Sequence, residues 1–108
     1  MADGLRLFFE DEETKGIIVI GEIGGEAELR AAELIREYRQ STARPKPIVA
    51  MVAGKTAPLG RIMGHAGAML TSRDVPADIK AKALEDAGAV VVPHPGVMGI
   101  TMKRLLEV

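Results

Sequence analysis

The segment Gly16-Ile17-Ile18-Val19-Ile20-Gly21 constrains this chain most. Four adjacent aliphatic residues between glycines are too few for a buried helix. They read as a short strand covered on both faces, as in a parallel sheet. Pro47–Ala53 is a second run of the same kind, ending at Gly54, and Ala89–Val92 is a third. Between and after them the periodicity changes to that of helices. In Glu26–Gln40 the residues Ala27, Ala31, Leu34, Ile35 and Tyr38 recur at helical spacing, with Glu26, Arg30, Glu33, Arg36 and Glu37 outside that stripe. Ile79, Ala83, Leu84 and Ala87 form a second apolar face, started by Asp74–Pro76 and stopped by Gly88. Pro93 and Pro95 break the chain, and Met98, Met102, Leu105 and Leu106 share one face of a last helix. Leu5–Glu10 reads as the end of a short helix, and Asp11–Thr14 as an acidic loop. Strands alternating with helices predict an α/β fold on a parallel sheet.

With 108 residues the chain holds one small domain. Aromatic residues make up 3% of it, so the core is aliphatic and a base-stacking surface for single-stranded nucleic acid is not expected. The net charge is −1 and the charges alternate in sign, which points to neither nucleic acid nor an anionic membrane as a partner. The absence of cysteine removes disulfides, cysteine zinc sites and thiol catalysis, and fits a reducing compartment. No apolar run reaches the length of a membrane span. Met1–Leu5 does not read as a signal peptide, because Asp3 comes early and no long apolar region follows.

Two segments carry candidate chemistry. Ligands of parallel sheets gather at the carboxyl ends of the strands, and both segments sit there. The first, Gly21-Glu22-Ile23-Gly24-Gly25, places a carboxylate and two glycines between strand and helix. Glycines let backbone approach a ligand, and a following helix offers free N–H groups and its positive end, so this is a phosphate cradle or a purely structural turn. The second runs from Thr56 to Ala68 within a stretch holding four glycines and one proline, Gly54–Gly67. His65 lies between Gly64 and Ala66-Gly67, small neighbours that leave its ring accessible. Taken by itself, a lone loop histidine is more often a surface residue. His94, between Pro93 and Pro95, reads as a surface turn residue.

Together the two segments resemble the C-terminal ligase domain of the succinyl-CoA synthetase alpha subunit, within the wider family of NDP-forming acyl-CoA ligases and ATP-citrate lyase. The resemblance rests on Gly21-Glu22-Ile23-Gly24-Gly25, Ala53-Gly54-Lys55-Thr56-Ala57-Pro58 and Gly64-His65-Ala66-Gly67-Ala68. It extends from about Leu5 to the C-terminus and includes Ala83-Leu84-Glu85-Asp86-Ala87-Gly88. It implies a flavodoxin-like parallel sheet with helices on both faces. It also implies that residues 1–108 form a CoA-ligase domain truncated at its N-terminus, without the strand that precedes the first helix. The resemblance puts a phosphorylated histidine on His65 and its orienting carboxylate on Glu22. The phosphoryl group would lie against the backbone of Gly24, Gly25 and Glu26 and of Gly64, Ala66 and Gly67, with no metal ligand in the chain. Phosphate would pass from NTP to histidine and then to a carboxylic acid, and the CoA thiol would take the acyl group. The chain alone would bind no cofactor. CoA, ATP or GTP, and magnesium would come through partners: a nucleotide-grasp beta subunit and a CoA-binding domain. The resemblance implies a cytoplasmic or mitochondrial-matrix location.

The chain departs from the family pattern in three places. Residues 1–108 are not expected to include the CoA-binding Rossmann domain with which the family's alpha subunit begins. Thr71-Ser72-Arg73-Asp74 stands where Gly-Gly-Lys-Gly is frequent. Arg39–Lys46 is longer and more polar than the usual link, and Leu59 replaces a frequent proline or lysine. Lys55 reads as solvated surface, whereas Arg61 reads equally as surface or as a phosphate contact. An open sheet edge would be filled by a partner chain, a second copy or rearrangement. Isolated, such a chain is expected to work as a component of a ligase rather than turn over by itself. The alternative is a non-catalytic interaction or regulatory module derived from that domain.

Overall fold

Backbone pairing organises the chain around one short strand. β1 (Ile17–Gly21) runs parallel to β2 (Ile48–Val52), with Ile17 opposite Ile48 and Gly21 opposite Val52. β3 (Val90–Val91) runs parallel along the other side of β2, with Val49 opposite Val90. The sheet order is therefore β1-β2-β3. Around it lie α1 (Ala2–Glu10), α2 (Ala27–Ser41), α3 (Ala77–Ala87), a short 3-10 turn (Pro95–Val97) and α4 (Met98–Leu106). The structure is a computed structural model, and it describes residues 1–22, 24–53 and 75–108. The α/β class expected from the strand and helix patterns is the one observed.

The alternation of side chains along β2 divides the core in two. Ile48, Ala50 and Val52 point to one face and pack with Leu5 of α1, Ala31, Ala32 and Ile35 of α2, and Ala77, Ala81, Leu84 and Ala87 of α3. Val49 points to the other face, where Val92, Met98 and Met102 cover it. Helices thus lie on both faces, as expected. Ile35, Val49 and Leu84 are fully buried, and each such side chain contributes roughly 1.5–3 kcal/mol relative to an exposed one.

One expectation fails at β1. Its residues alternate between buried and exposed. Ile17 and Val19 face the helical layer, whereas Ile18 and Ile20 remain 48% and 56% exposed. The reason is the reach of α4, which packs on β2 and leaves the same face of β1 uncovered. A groove of about 400 Å³ runs along this strand between Ile17–Ile20 and Met1, Gly4, Leu5 and Phe8. No described strand pairs with the outer edge of β1.

A second expectation shifts by one residue. Ile79 is 53% exposed, while Lys80 takes the buried position on α3 beside Ala77, Ala81, Leu84 and Ala87. α3 also starts later than the Asp74–Pro76 signal implies: Pro76 is the residue before its first turn, and Asp74 lies outside the described residues. In α2, Ala27 is exposed, and Glu28 and Ala32 are buried instead. β3 spans two residues of the expected four. In α4, Leu106 of the expected face is exposed. Gly88 ends α3 at φ +116°, a left-handed conformation that favours glycine.

α1 begins at Ala2, before the expected Leu5, and is tied down at its C-terminal end. The Lys46 ammonium donates to the carbonyls of Phe8 (2.6 Å), Phe9 (3.2 Å) and Asp11 (2.6 Å). The Phe8 and Phe9 carbonyls are among those that a helix end leaves without partners, and the Asp11 carbonyl also accepts the Thr14 N–H at 3.1 Å. The Lys46 backbone N–H donates to the Tyr38 hydroxyl at 2.7 Å, and the Tyr38 ring stacks on Phe9 with centroids 4.0 Å apart. Asp11 closes the following loop by accepting hydrogen bonds from Thr14 Oγ1 (2.7 Å) and the Glu13 N–H (3.1 Å).

Candidate functional site

The carboxyl edge of the sheet holds the first candidate segment. β1 ends at Gly21, and the Gly21 carbonyl accepts from the Ala53 N–H at 2.9 Å, one step beyond the β2 ladder. Glu22 is the next residue and is half-buried. The chain then turns through Gly24 (φ +92°) and Gly25 (φ +68°) into Glu26, which precedes the first turn of α2. Both glycines are in the left-handed region, where a side chain is strained. A Cβ placed on Gly25 would meet no atom of the described residues within 4 Å.

A buried ion pair holds the turn from beneath. Glu28, in the first turn of α2, places Oε1 2.8 Å from Lys80 Nζ of α3; the two side chains are 4% and 0% exposed. Oε1 accepts no well-aligned hydrogen bond among the described residues, so charge rather than direction holds that contact. Glu28 Oε2 accepts the Glu22 N–H at 3.1 Å. Lys80 Nζ donates to the Glu22 and Gly24 carbonyls, both at 2.9 Å. The backbone of Glu22 is thereby gripped on both sides. Gly21 leaves room for this arrangement, because a Cβ there would stand 2.5 Å from Glu28 Cγ.

Glu22, Gly24, Gly25 and Glu26 therefore come together at one strand end and one helix start. His65, Gly64, Ala66 and Gly67, with Lys55 and Arg61, lie outside the described residues. The described flanks of their segment both lie at this edge. Ala53 is bonded to Gly21, and α3, which begins two residues after Val75, sends Lys80 into the Glu22 turn. His94 is exposed between its two prolines, as its sequence setting implies.

Glu28 and Lys80 were not among the sequence candidates. The signal was present: Glu28 shares helical spacing with Ala31, Ala32 and Ile35, and Lys80 with Ala77, Ala81, Leu84 and Ala87. A charge on each of two facing apolar stripes marks a buried pair. Among the described residues no three His, Asp or Glu side chains converge to hold a metal ion. No described helix is long and apolar enough to cross a membrane. A wider groove of about 900 Å³ lies at the opposite, amino end of the strands, lined by residues including Lys15, Arg39, Arg44, Lys46 and Val90.

Comparison with known proteins agrees with the resemblance carried by the motifs. The CoA-ligase family matches residues 1–90. The alpha 1 subunit of ADP-forming succinate–CoA ligase from Archaeoglobus fulgidus is 51% identical over 105 residues, covering 97% of this chain and 34% of that protein. The alpha subunit of malate–CoA ligase from Methylorubrum extorquens is 42% identical over 104 residues, covering 96% of this chain and 33% of that one. The chain thus spans about a third of the length of these curated relatives. Among solved structures, ATP citrate lyase from Methanosaeta concilii in complex with (3S)-citryl-CoA superposes with a TM-score of 0.82 at 28% identity. That match covers 99% of this chain and 17% of the lyase chain.

Proposed function

This chain belongs to the CoA-ligase family, and from that premise we propose that it is the phosphohistidine-carrying domain of an NDP-forming acyl-CoA ligase of the succinate–CoA ligase kind. His65 is the carrier and Glu22 orients it. One imidazole nitrogen of His65 attacks the γ-phosphorus of NTP; a P–N bond forms, the P–O bond to NDP breaks, and NDP leaves. A carboxylate oxygen of the acid then attacks the same phosphorus, the P–N bond breaks, and an acyl phosphate results. The CoA thiolate attacks its carbonyl carbon, and inorganic phosphate departs with acyl-CoA formed. Glu22 accepts a hydrogen bond from the protonated ring nitrogen, which sets the tautomer and leaves the other nitrogen free to attack. Gly24, Gly25 and the first turn of α2 offer backbone N–H groups and a positive helix end to the phosphoryl group. Gly64, Ala66 and Gly67 are assigned by the family motif to bind the same phosphoryl group. NTP and CoA reach this domain through a beta subunit and a CoA-binding domain.

What supports this is the meeting of the Glu22 turn with both described flanks of the His65 segment at one carboxyl edge. The test is a substitution at Glu22. The chain is mixed with an active beta subunit and γ-labelled ATP or GTP, and incorporation of label is followed. Glu22→Gln is expected to slow labelling by roughly 100-fold or more, because an amide no longer favours the reactive tautomer of the ring, while His94→Ala labels at the parent rate. Labelling of Glu22→Gln at the parent rate would remove Glu22 from the mechanism. A parent chain that takes no label beside an active beta subunit would instead favour an interaction module.

A further inference from the structure

We propose that Glu28 and Lys80 are positioning residues for the reaction: a buried ion pair that sets the backbone of the Glu22–Gly24 turn and, through it, the origin of the Glu22 side chain. The inference rests on the role given to Glu22 above. A buried ion pair is an expensive way to stabilise a small core, because apolar residues of similar volume serve as well or better. The surrounding buried stripes of α2 and α3 are otherwise Ala, Ile and Leu. What apolar residues would not do is bond to the turn. Three directed hydrogen bonds of the pair end there: the Glu22 N–H on Glu28 Oε2, and the Glu22 and Gly24 carbonyls on Lys80 Nζ. The mutual contact at 2.8 Å neutralises both charges and locks α2 to α3 directly below the turn. Three bonds to Glu22 and Gly24 leave the backbone of those two residues little freedom. A carboxylate that must meet a ring nitrogen needs that restraint, since a misplacement of about 1 Å can cost about 100-fold in rate.

The double variant Glu28→Gln/Lys80→Met separates positioning from folding. In Glu28→Gln the amide oxygen still accepts the Glu22 N–H. In Lys80→Met the thioether side chain fills the space of the lysine stem. Made together, the two changes leave no unpaired buried charge. The full chain is studied with its beta subunit and γ-labelled ATP or GTP, and amide exchange is read residue by residue. The expected result is a cooperative melt about 5–15 °C below the parent, since two carbonyls lose their donor but no buried charge is left unpaired, amide exchange at Glu22 at least about tenfold faster, and labelling of His65 slowed about 10- to 100-fold. Unchanged exchange at the turn overturns the inference, and so does faster exchange with parent-rate labelling. Should the double variant not fold, Gly21→Ala carries the same test, because its Cβ displaces Glu28 Cγ and removes no charge. If the parent itself takes no label, the phosphohistidine reading fails. The exchange measurement then still decides whether the pair holds the turn.

Discussion

Removing Lys80 alone is a severe perturbation whose size follows from its surroundings. In Lys80→Met the Glu28 carboxylate loses the cation 2.8 Å from Oε1 while remaining 4% exposed, and two carbonyls lose their donor. Breaking a buried pair from one side costs about 3–5 kcal/mol, because the remaining charge is neither solvated nor compensated. A domain of this size has a total stability of about 5–15 kcal/mol, so the loss is a large share of it. With a urea slope of about 1.5 kcal/mol/M, the unfolding midpoint falls by about 2–3 M. Equilibrium urea unfolding followed by far-UV circular dichroism reads this directly. Glu28→Gln/Lys80→Met should recover most of the loss, giving a coupling energy of at least about 2 kcal/mol in the double-mutant cycle. If Lys80→Met unfolds within about 1 kcal/mol of the parent, far below the cost of breaking a buried pair, the pair is not the desolvated unit described here.

Gly88→Ala should destabilise by about 1–3 kcal/mol, since the left-handed φ strains the new side chain and its Cβ runs into the Arg39 side chain; urea unfolding measures it. Lys46→Met should fray α1 by about 1–2 kcal/mol, because the Phe8 and Phe9 carbonyls lose their donor while Asp11 keeps the Thr14 N–H. Amides of Leu7–Glu10 should then exchange faster, with those of β2 unchanged. At Asp11 the hydrogen bond from the Thr14 hydroxyl, with that from the Glu13 N–H, holds the carboxyl below its ordinary value. A carboxyl lowered on folding stabilises fully above its unfolded value, and that contribution disappears as pH falls through the folded one. Carboxyl titration by NMR should show Asp11 moving upward in Thr14→Val.

Much of this fold is visible in the pattern of residues, and the failures have physical causes. Aliphatic runs bounded by glycine or proline locate the three strands among the described residues, Gly88 marks the end of α3, and Met98 and Met102 mark the buried face of α4. Four aliphatic residues in a row cannot reveal that only one face of β1 is covered, because that depends on where α4 lands. On α3 hydrophobicity favours Ile79 for the core, but the face that buries Ala77, Ala81, Leu84 and Ala87 carries Lys80 inward, where it bonds to the Glu22 turn, and leaves Ile79 exposed. For the same reason Glu28 escaped notice: a carboxylate in a first helical turn is ordinary, and only its distant partner on α3 makes it internal. The turn at Glu22 is legible as a break between strand and helix, whereas a role for its carboxylate follows only from the resemblance carried jointly with the His65 segment.

His65 is the proposed phosphoryl acceptor, and a second histidine, His94, serves as its internal control. The most direct measurement incubates the full chain with an active beta subunit and γ-labelled ATP or GTP, digests it under alkaline conditions, and maps the acid-labile label by mass spectrometry. Phosphate is expected on the peptide containing His65, none on that containing His94, with loss of the label when the carboxylic acid and CoA are added. Label on His94, or none on His65 beside an active partner, would contradict this assignment.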